Sequence, residues 1–329
     1  MYYESYRRQP KKRKRRARRQ SFGEWLVQGL LKLVALAVAA VVLCAALLYA
    51  LPPSTFMVEP EHNTLGLTDG LPADCINVLL LGTDLTRNNA QRSDAIMIAS
   101  IGYGKVRLSS FLRDTVVDIP GHGSAKLNAA FAYGGAELTM RTLNRNFGLN
   151  IMHYAQVDFL TLVRLVDAIG GVDVSVTEKE REYLNKTLRK SYSLFAPLGY
   201  TAHELTEYGD SVHLDGLQAL SYARIRKLDS DFMRTSRQRR LLSAMLTRVR
   251  SRLWDPLMWT RLVRAVLASV ETNMPLPQII SLAEKALLTG SAQQLRLPVD
   301  GSFTDDGSKL TVNNRNANRD AFYMFVYEN

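Results

Sequence analysis

Ile76-Asn77-Val78-Leu79-Leu80-Leu81-Gly82-Thr83-Asp84 is the stretch on which the fold of this 329-residue chain turns. Its apolar run does not alternate with polar residues. That is the pattern of a strand covered on both faces. Gly82-Thr83-Asp84 marks its end. A strand covered twice needs a layer above and a layer below, which points to an α/β sandwich.

The flanking sequence agrees. Asp94 opens a second apolar run over 95–101. Gly102 and Gly104 frame a turn into 105–111, so a hairpin is predicted whose second strand ends at Arg113-Asp114. Lys126-Leu127-Asn128-Ala129-Ala130 reads as a helix start, broken at Gly134-Gly135. A helix over 136–147 is stopped by Gly148. Residues 153–159 read as strand and 160–169 as helix. Gly170-Gly171 turn into a strand over 172–176. Residues 177–213 are polar and uneven, an excursion placed to cover a site. Residues 214–224 read as helix, and long amphipathic helices follow over 231–250, 255–271 and 277–289. Short strands are expected near 294–297 and 322–327. The expected fold class is α/β: a three-layer αβα domain with a central mixed sheet, preceded by one transmembrane helix.

Composition divides the chain. The formal charge is +11, but residues 1–32 hold 11 Lys and Arg against two Glu, and the remainder is nearly balanced. The basic run at 11–19 repels itself. Residues 33–51 carry no charge, Gly or Pro, the length of a bilayer-spanning helix. Lys32 precedes the span, Pro52-Pro53 follow, and Arg87 is the first basic residue beyond it. The positive-inside asymmetry sets the tail in the cytoplasm and the rest outside. The expected organisation is a basic cytoplasmic tail at 1–32, a transmembrane helix at 33–51, a juxtamembrane linker at 52–73 and an extracytoplasmic domain at 74–329. Tyr49-Ala50-Leu51-Pro52 makes a poor cleavage site, which favours an uncleaved anchor in the cell membrane. The tail touches membrane lipid, and nothing beside it reads bases, so no nucleic-acid partner is expected. Cys44 and Cys75 cannot pair, and the five His are scattered, which excludes a disulfide framework and a zinc site.

The densest chemistry lies at Arg224-Ile225-Arg226-Lys227-Leu228-Asp229-Ser230-Asp231-Phe232-Met233-Arg234-Thr235-Ser236-Arg237-Gln238. An extended Arg224-Ile225-Arg226 points both guanidinium groups to one side. Any one of Asp229, Ser230 and Asp231 suits the cap of a helix start. Arg234, Arg237, Gln238 and Leu241 then recur on one helical face. Planar guanidinium donors match phosphate oxygens, which reads as a phosphate or pyrophosphate clamp. A solvated basic face is the plain alternative.

Strand ends supply the rest. Asp84 follows the first strand, Arg92 and Asp94 precede the second, and Arg113-Asp114 end the third. Ligands of open α/β sheets sit at such carboxyl ends. Asp84 and Asp94 supply hard oxygen donors that suit Mg²⁺ or Mn²⁺. The arginines and Lys126 neutralise phosphates. Singly, each Asp reads as a turn or cap residue; the combination points to a site.

Taken in register, these segments resemble the LytR-CpsA-Psr family of bacterial cell-envelope phosphotransferases. The resemblance rests on 79–84, Arg92-Ser93-Asp94-Ala95-Ile96-Met97, Arg113-Asp114, 126–135, 170–174, 214–220 and 224–238, and covers 74–245. It implies that Asp84 and Asp94 bind magnesium. It implies that Arg92, Arg113, Lys126, Arg224, Arg226, Arg234 and Gln238 hold the pyrophosphate of a polyprenyl-linked glycopolymer, with Asp231 orienting. Asp84, Arg92, Asp94, Arg113 and Arg226 are the expected catalytic set. Phe111-Leu112, Met233 and Thr83 depart from the family pattern of Ile-Pro, Gly and Ser.

The implied reaction is attack by a peptidoglycan hydroxyl on the phosphorus next to the polymer sugar, with polyprenyl phosphate leaving. Positioning and charge stabilisation serve such a transfer. Asp84 or Asp94 serves as base or as metal ligand. The lipid needs an apolar slot between sheet and helices; Leu220 and Leu241 are candidates, but each reads first as a core residue. The competing reading is an envelope protein that binds polyanionic glycopolymer, or regulates, without turnover.

Overall fold

In a computed structural model the described residues are 64–83, 93–226, 228, 231–289 and 292–328, with no side chain described for Asp231. They fall within one compact unit. The expected tail, the membrane span, Asp84, Arg92 and Asp229-Ser230 lie outside them. No helix among the described residues is long and apolar enough to cross a membrane.

The chain runs β1 (Cys75–Thr83), β2 (Ser93–Gly102), β3 (Lys105–Phe111), β4 (Thr115–Ile119), β5 (Gly123–Lys126) and α1 (Leu127–Phe147). Next come β6 (His153–Asp158), α2 (Phe159–Ala168), β7 (Val172–Val176), α3 (Glu178–Phe195), β8 (Gly209–Leu214) and α4 (Gly216–Ala223). It continues with α5 (Asp231–Ser251), α6 (Pro256–Ser269), β9 (Glu271–Thr272), α7 (Leu276–Leu288), β10 (Gln293–Leu297), β11 (Phe303–Asp305), β12 (Leu310–Val312) and α8 (Arg315–Tyr327).

The central sheet has the order β10-β3-β2-β1-β6-β9. β1 and β3 flank β2 antiparallel, while β6 lies parallel to β1 and β10 parallel to β3. The sheet is therefore mixed, as expected. The β2–β3 turn places Tyr103 and Gly104 at φ 52° and 63°, the doubly left-handed geometry that matches strand twist.

Strand parity sets the layers. Leu79, Leu81, Ile96, Ile98 and Phe111 pack on α1 and α8 through Leu127, Met140, Leu143, Phe147, Phe322 and Val326. Val78 and Leu80 face the other way, toward Met274, Ile279 and Leu282. The apolar run at 76–81 thus buries both faces, as its pattern requires. Gly134 and Gly135 take non-helical dihedrals inside α1, and Gly148 caps it at φ 65°.

Four segments differ from expectation. Residues 322–327 are helix rather than strand. Asn318, Phe322 and Val326 are buried four apart, and the Asn314 side chain caps the first turn. The polar excursion at 177–213 contains the 18-residue α3, started by a reciprocal Thr177–Glu180 capping box. Leu184 and Leu188 are its buried stripe. β4, β5, β11 and β12 form a small sheet that the sequence patterning leaves unmarked. The core also begins inside the expected linker, since Leu65 is fully buried.

Candidate active site

Sheet register collects the polar residues at one edge. Thr83 at the end of β1 pairs with Ser93 at the start of β2, and with Asp158 at the end of β6. Ile96 pairs with Phe111, so Arg113 and Asp114 leave β3 beside Asp94. β5 hairpins back on β4 and ends at Lys126.

These side chains form a chain of alternating charge. Arg113 Nη1 donates to Asp94 Oδ1 at 2.6 Å. Arg226 Nη2 donates to Asp94 Oδ2. Arg113 Nε also donates to Asp114 Oδ2 at 3.3 Å, and Lys126 Nζ to Asp114 Oδ1 at 3.0 Å. The Asp94 and Arg113 side chains are each 20% exposed, so solvent screens this pair less than a surface pair.

Beside this chain opens a cavity of about 170 Å³ between the sheet and α2, α4 and α5. Asp94, Asp158, Arg224, Arg226, Arg234 and Gln238 supply its polar wall. The rest is apolar and includes Leu80, Met97, Val157, Leu162, Leu220, Leu241 and Met245. Leu220 and Leu241 are nearly fully buried and still line the cavity. Asp158 caps α2 through Thr161 N.

Arg224 and Arg226 both reach the cavity, though not through an extended backbone. Arg224 ends α4 with φ −101° and ψ 4°. Its guanidinium lies 4.0 Å over the Phe159 ring and donates to Ser191 Oγ at 3.0 Å. Arg234 and Gln238, a helical turn apart on α5, line the wall together with Leu241. Arg237 departs from the expected shared face. It is fully buried, with Nε donating to Glu180 Oε1 at 2.9 Å and Nη1 to Ile225 O at 3.2 Å. Arg237 therefore ties α3 and α5 to the backbone between Arg224 and Arg226. Glu180 also accepts from Arg240 at 3.1 Å. Burial raises the Glu180 carboxyl, but Thr177 N–H, Arg237 and Arg240 outweigh it and hold the group below the usual carboxylate range.

Asp114, expected only as a strand-end residue with no assigned role, and Asp158, Phe159 and Glu180 add to the expected site residues. Position after a strand marks the first two, and the Thr177-x-x-Glu180 spacing marks Glu180. Burial pushes the Cys75 thiol up to about 11, against a smaller opposite pull from Arg107, so it is no nucleophile.

Asp94 accepts one bond on each oxygen described above, and a carboxylate has about four lone-pair sites. Its hard oxygens fit a divalent cation in kind. No group of three His, Cys, Asp or Glu among the described residues forms a metal cluster. The Asp84–Asp94 pairing lies partly outside the described residues.

The LytR_cpsA_psr family model matches residues 58–321. The regulatory protein MsrR of Staphylococcus aureus (strain COL) is 28% identical over 268 residues, covering 77% of this chain and 75% of that one. The polyisoprenyl-teichoic acid–peptidoglycan teichoic acid transferase TagU of Bacillus mycoides (strain KBAB4) is 30% identical over 240 residues, covering 70% and 71%. The structure of TagT bound to LIIa-WTA superposes with a TM-score of 0.65 at 23% identity, covering 84% of this chain and 99% of that one. A structure of TagT with bound octaprenyl pyrophosphate gives 0.60 at 21% identity, with the same coverage. At these identities the two structures speak for the fold.

Proposed function

Because this chain belongs to the LytR-CpsA-Psr family, we propose that it transfers a glycopolymer from a polyprenyl-pyrophosphate carrier to peptidoglycan. The observation that carries this reading is a single cavity whose wall joins arginines to an apolar lining. A prenyl chain ending in a pyrophosphate uses both parts. TagU is named as a transferase of this kind, and TagT has been solved with octaprenyl pyrophosphate.

The prenyl chain lies along Leu220, Leu241 and Met245, which exclude water from that end. Arg113, Arg224, Arg226, Arg234, Lys126 and Gln238 hold the pyrophosphate, joined by Arg92. The Asp94 carboxylate pairs with the two guanidinium groups of Arg113 and Arg226. A phosphate oxygen pair presents the same fork geometry, so substrate replaces Asp94 on the arginines. That exchange frees Asp94.

An acceptor hydroxyl of peptidoglycan then forms a bond to the phosphorus next to the sugar. The P–O bond to the bridging oxygen breaks, and its electron pair leaves with polyprenyl phosphate. The hydroxyl proton passes to a carboxylate, Asp94 or Asp84. The arginines stabilise charge on the phosphoryl oxygens and need little reorganisation as it develops. Asp84 and Asp94 would hold Mg²⁺ or Mn²⁺, which neutralises phosphate charge when bound. The segment 33–51 anchors the protein in the cell membrane with this site outside.

The test uses full-length protein in detergent, a synthetic polyprenyl-pyrophosphate sugar, Mg²⁺ and a peptidoglycan fragment. Consumption of donor only when acceptor is present supports transfer. Saturable binding without consumption, with several donor sugars, would leave a glycopolymer-binding protein instead.

A further inference from the structure

The end of the molecule where α5 gives way to α6 exposes apolar side chains that no core uses. Trp254 is 82% exposed, Leu257 70% and Leu288 80%. Leu253 is exposed beside them. Arg250 brings the end of α7 to this region. Its Nη2 donates to Ala286 O and, at 2.8 Å, to Thr289 Oγ1, which sets the C-terminus of α7 against that of α5.

α6 extends the surface. Leu257, Arg261, Arg264 and Ala268 are exposed at helical spacing and form one stripe. The opposite side of α6 carries the packing, through buried Met258 with Trp259 and Leu262 against it. Residues 248–268 contain five Arg and one acid, Asp255. Asp255 is engaged as the helix cap of α6, accepting from Leu257 N and Met258 N. Large apolar side chains exposed together at one turn mark an interaction site. Tryptophan and leucine flanked by arginine is the composition of a membrane-interface segment.

We propose that the α5–α6 turn, with Trp254 and Leu257 at its tip, docks on the surface of an anionic phospholipid bilayer. The indole and leucines enter the headgroup boundary. Arg261 and Arg264 face the phosphates. The cavity strengthens the case. Its wall runs along α5 from Arg234 to Met245, roughly 16 Å by helical rise. Met245 lies roughly two turns before the exposed tip, so the apolar end of the cavity runs toward the docking face. A prenyl chain then leaves the protein where it meets acyl chains. This last link rests on the lipid-linked reading of the site; the docking itself does not.

Full-length protein is reconstituted in vesicles of phosphatidylcholine and phosphatidylglycerol in equal parts, carrying acyl-chain-brominated lipid. Tryptophan emission is compared between wild type and Trp254→Phe, the other tryptophans being Trp25 and Trp259. The proposal expects a quenched component in wild type that Trp254→Phe lacks. It expects that component to weaken severalfold in Arg261→Glu/Arg264→Glu or without phosphatidylglycerol. The double variant keeps wild-type turnover of a short-prenyl donor in detergent, so docking and transfer are read separately. Equal fractional quenching of wild type and Trp254→Phe overturns the proposal. So does a dimeric mass in exclusion chromatography that Trp254→Arg returns to the monomer. Quenching that ignores phosphatidylglycerol overturns the assigned role of the arginines.

Discussion

Asp94 and Arg113 meet at 2.6 Å although they leave different strands. The second oxygen of Asp94 is taken by Arg226, from a loop 132 residues further along the chain. One carboxylate thus holds two guanidinium groups from distant segments beside an apolar cavity that Asp94 and Arg226 help to line. In the proposed cycle it keeps both arginines oriented until a phosphate displaces it.

Removing either arginine therefore removes charge-assisted bonds to substrate. Each is worth about 1.5–3 kcal/mol. Arg113→Ala and Arg226→Ala should each lower kcat/KM roughly tenfold to a hundredfold. The double variant should fall below detection. Steady-state assays on purified protein decide this, with thermal melts to show that the variants remain folded.

Asp94→Asn separates orientation from charge. The amide retains the shape of the carboxylate and loses its negative charge. Binding of a prenyl pyrophosphate should tighten or stay level, because the arginines no longer have an anionic competitor. Turnover should drop at least tenfold. Titration calorimetry beside product assays reads the two effects apart. Equal losses in both would show that Asp94 only shapes the site.

Glu180 is a stability residue with a reach into the site. Glu180→Ala removes the carboxylate paired with buried Arg237 and should cost about 3–5 kcal/mol in urea unfolding. The folded-state carboxyl lies below its unfolded value near 4.5. Its contribution is therefore complete above that value and is lost as pH falls through the lower folded one. In Glu180→Gln this part of the acid destabilisation should disappear.

Filling the apolar end should select by chain length. Met245 lines the cavity and is only partly buried. Met245→Trp should depress turnover of a long polyprenyl donor severalfold more than that of a short one. Competition between two donors in one reaction measures the ratio directly.

A glycine at the α2–β7 turn tests the scaffold. Gly171 has φ +78°, and a Cβ there would lie 2.4 Å from the His213 ring and 2.8 Å from Leu214 O. Gly171→Ala should lose about 1–3 kcal/mol of stability. Kinetic constants of the fraction that remains folded should stay unchanged.

Strands with an unbroken apolar run were readable from sequence, because residues buried on both faces need no alternation. Asp94 and Arg113 were readable at strand termini and Lys126 only at a helix start, and the structure brings them into one ion-paired chain through Asp114. Burial direction within a helix was not readable. Arg234 and Arg237 sit on the same local pattern, yet one lines the cavity and the other meets Glu180. Only the position of α3 decides between them, and α3 lay in a segment whose polarity hid its leucine stripe. The aromatic residues at 322–327 misled in the same way: a short run fits strand or helix, and the deciding residue was Asn318, upstream of it.

The identity of the lipid product tests the central claim most directly. Wild-type protein is incubated with a polyprenyl-pyrophosphate sugar and a peptidoglycan fragment, and the released lipid is resolved by mass spectrometry. Attack at the phosphorus next to the sugar predicts polyprenyl monophosphate, together with a phosphodiester on the acceptor. Release of polyprenyl pyrophosphate would mean attack at the sugar carbon instead. That result would contradict a transfer at phosphorus served by Arg113, Arg226 and Asp94.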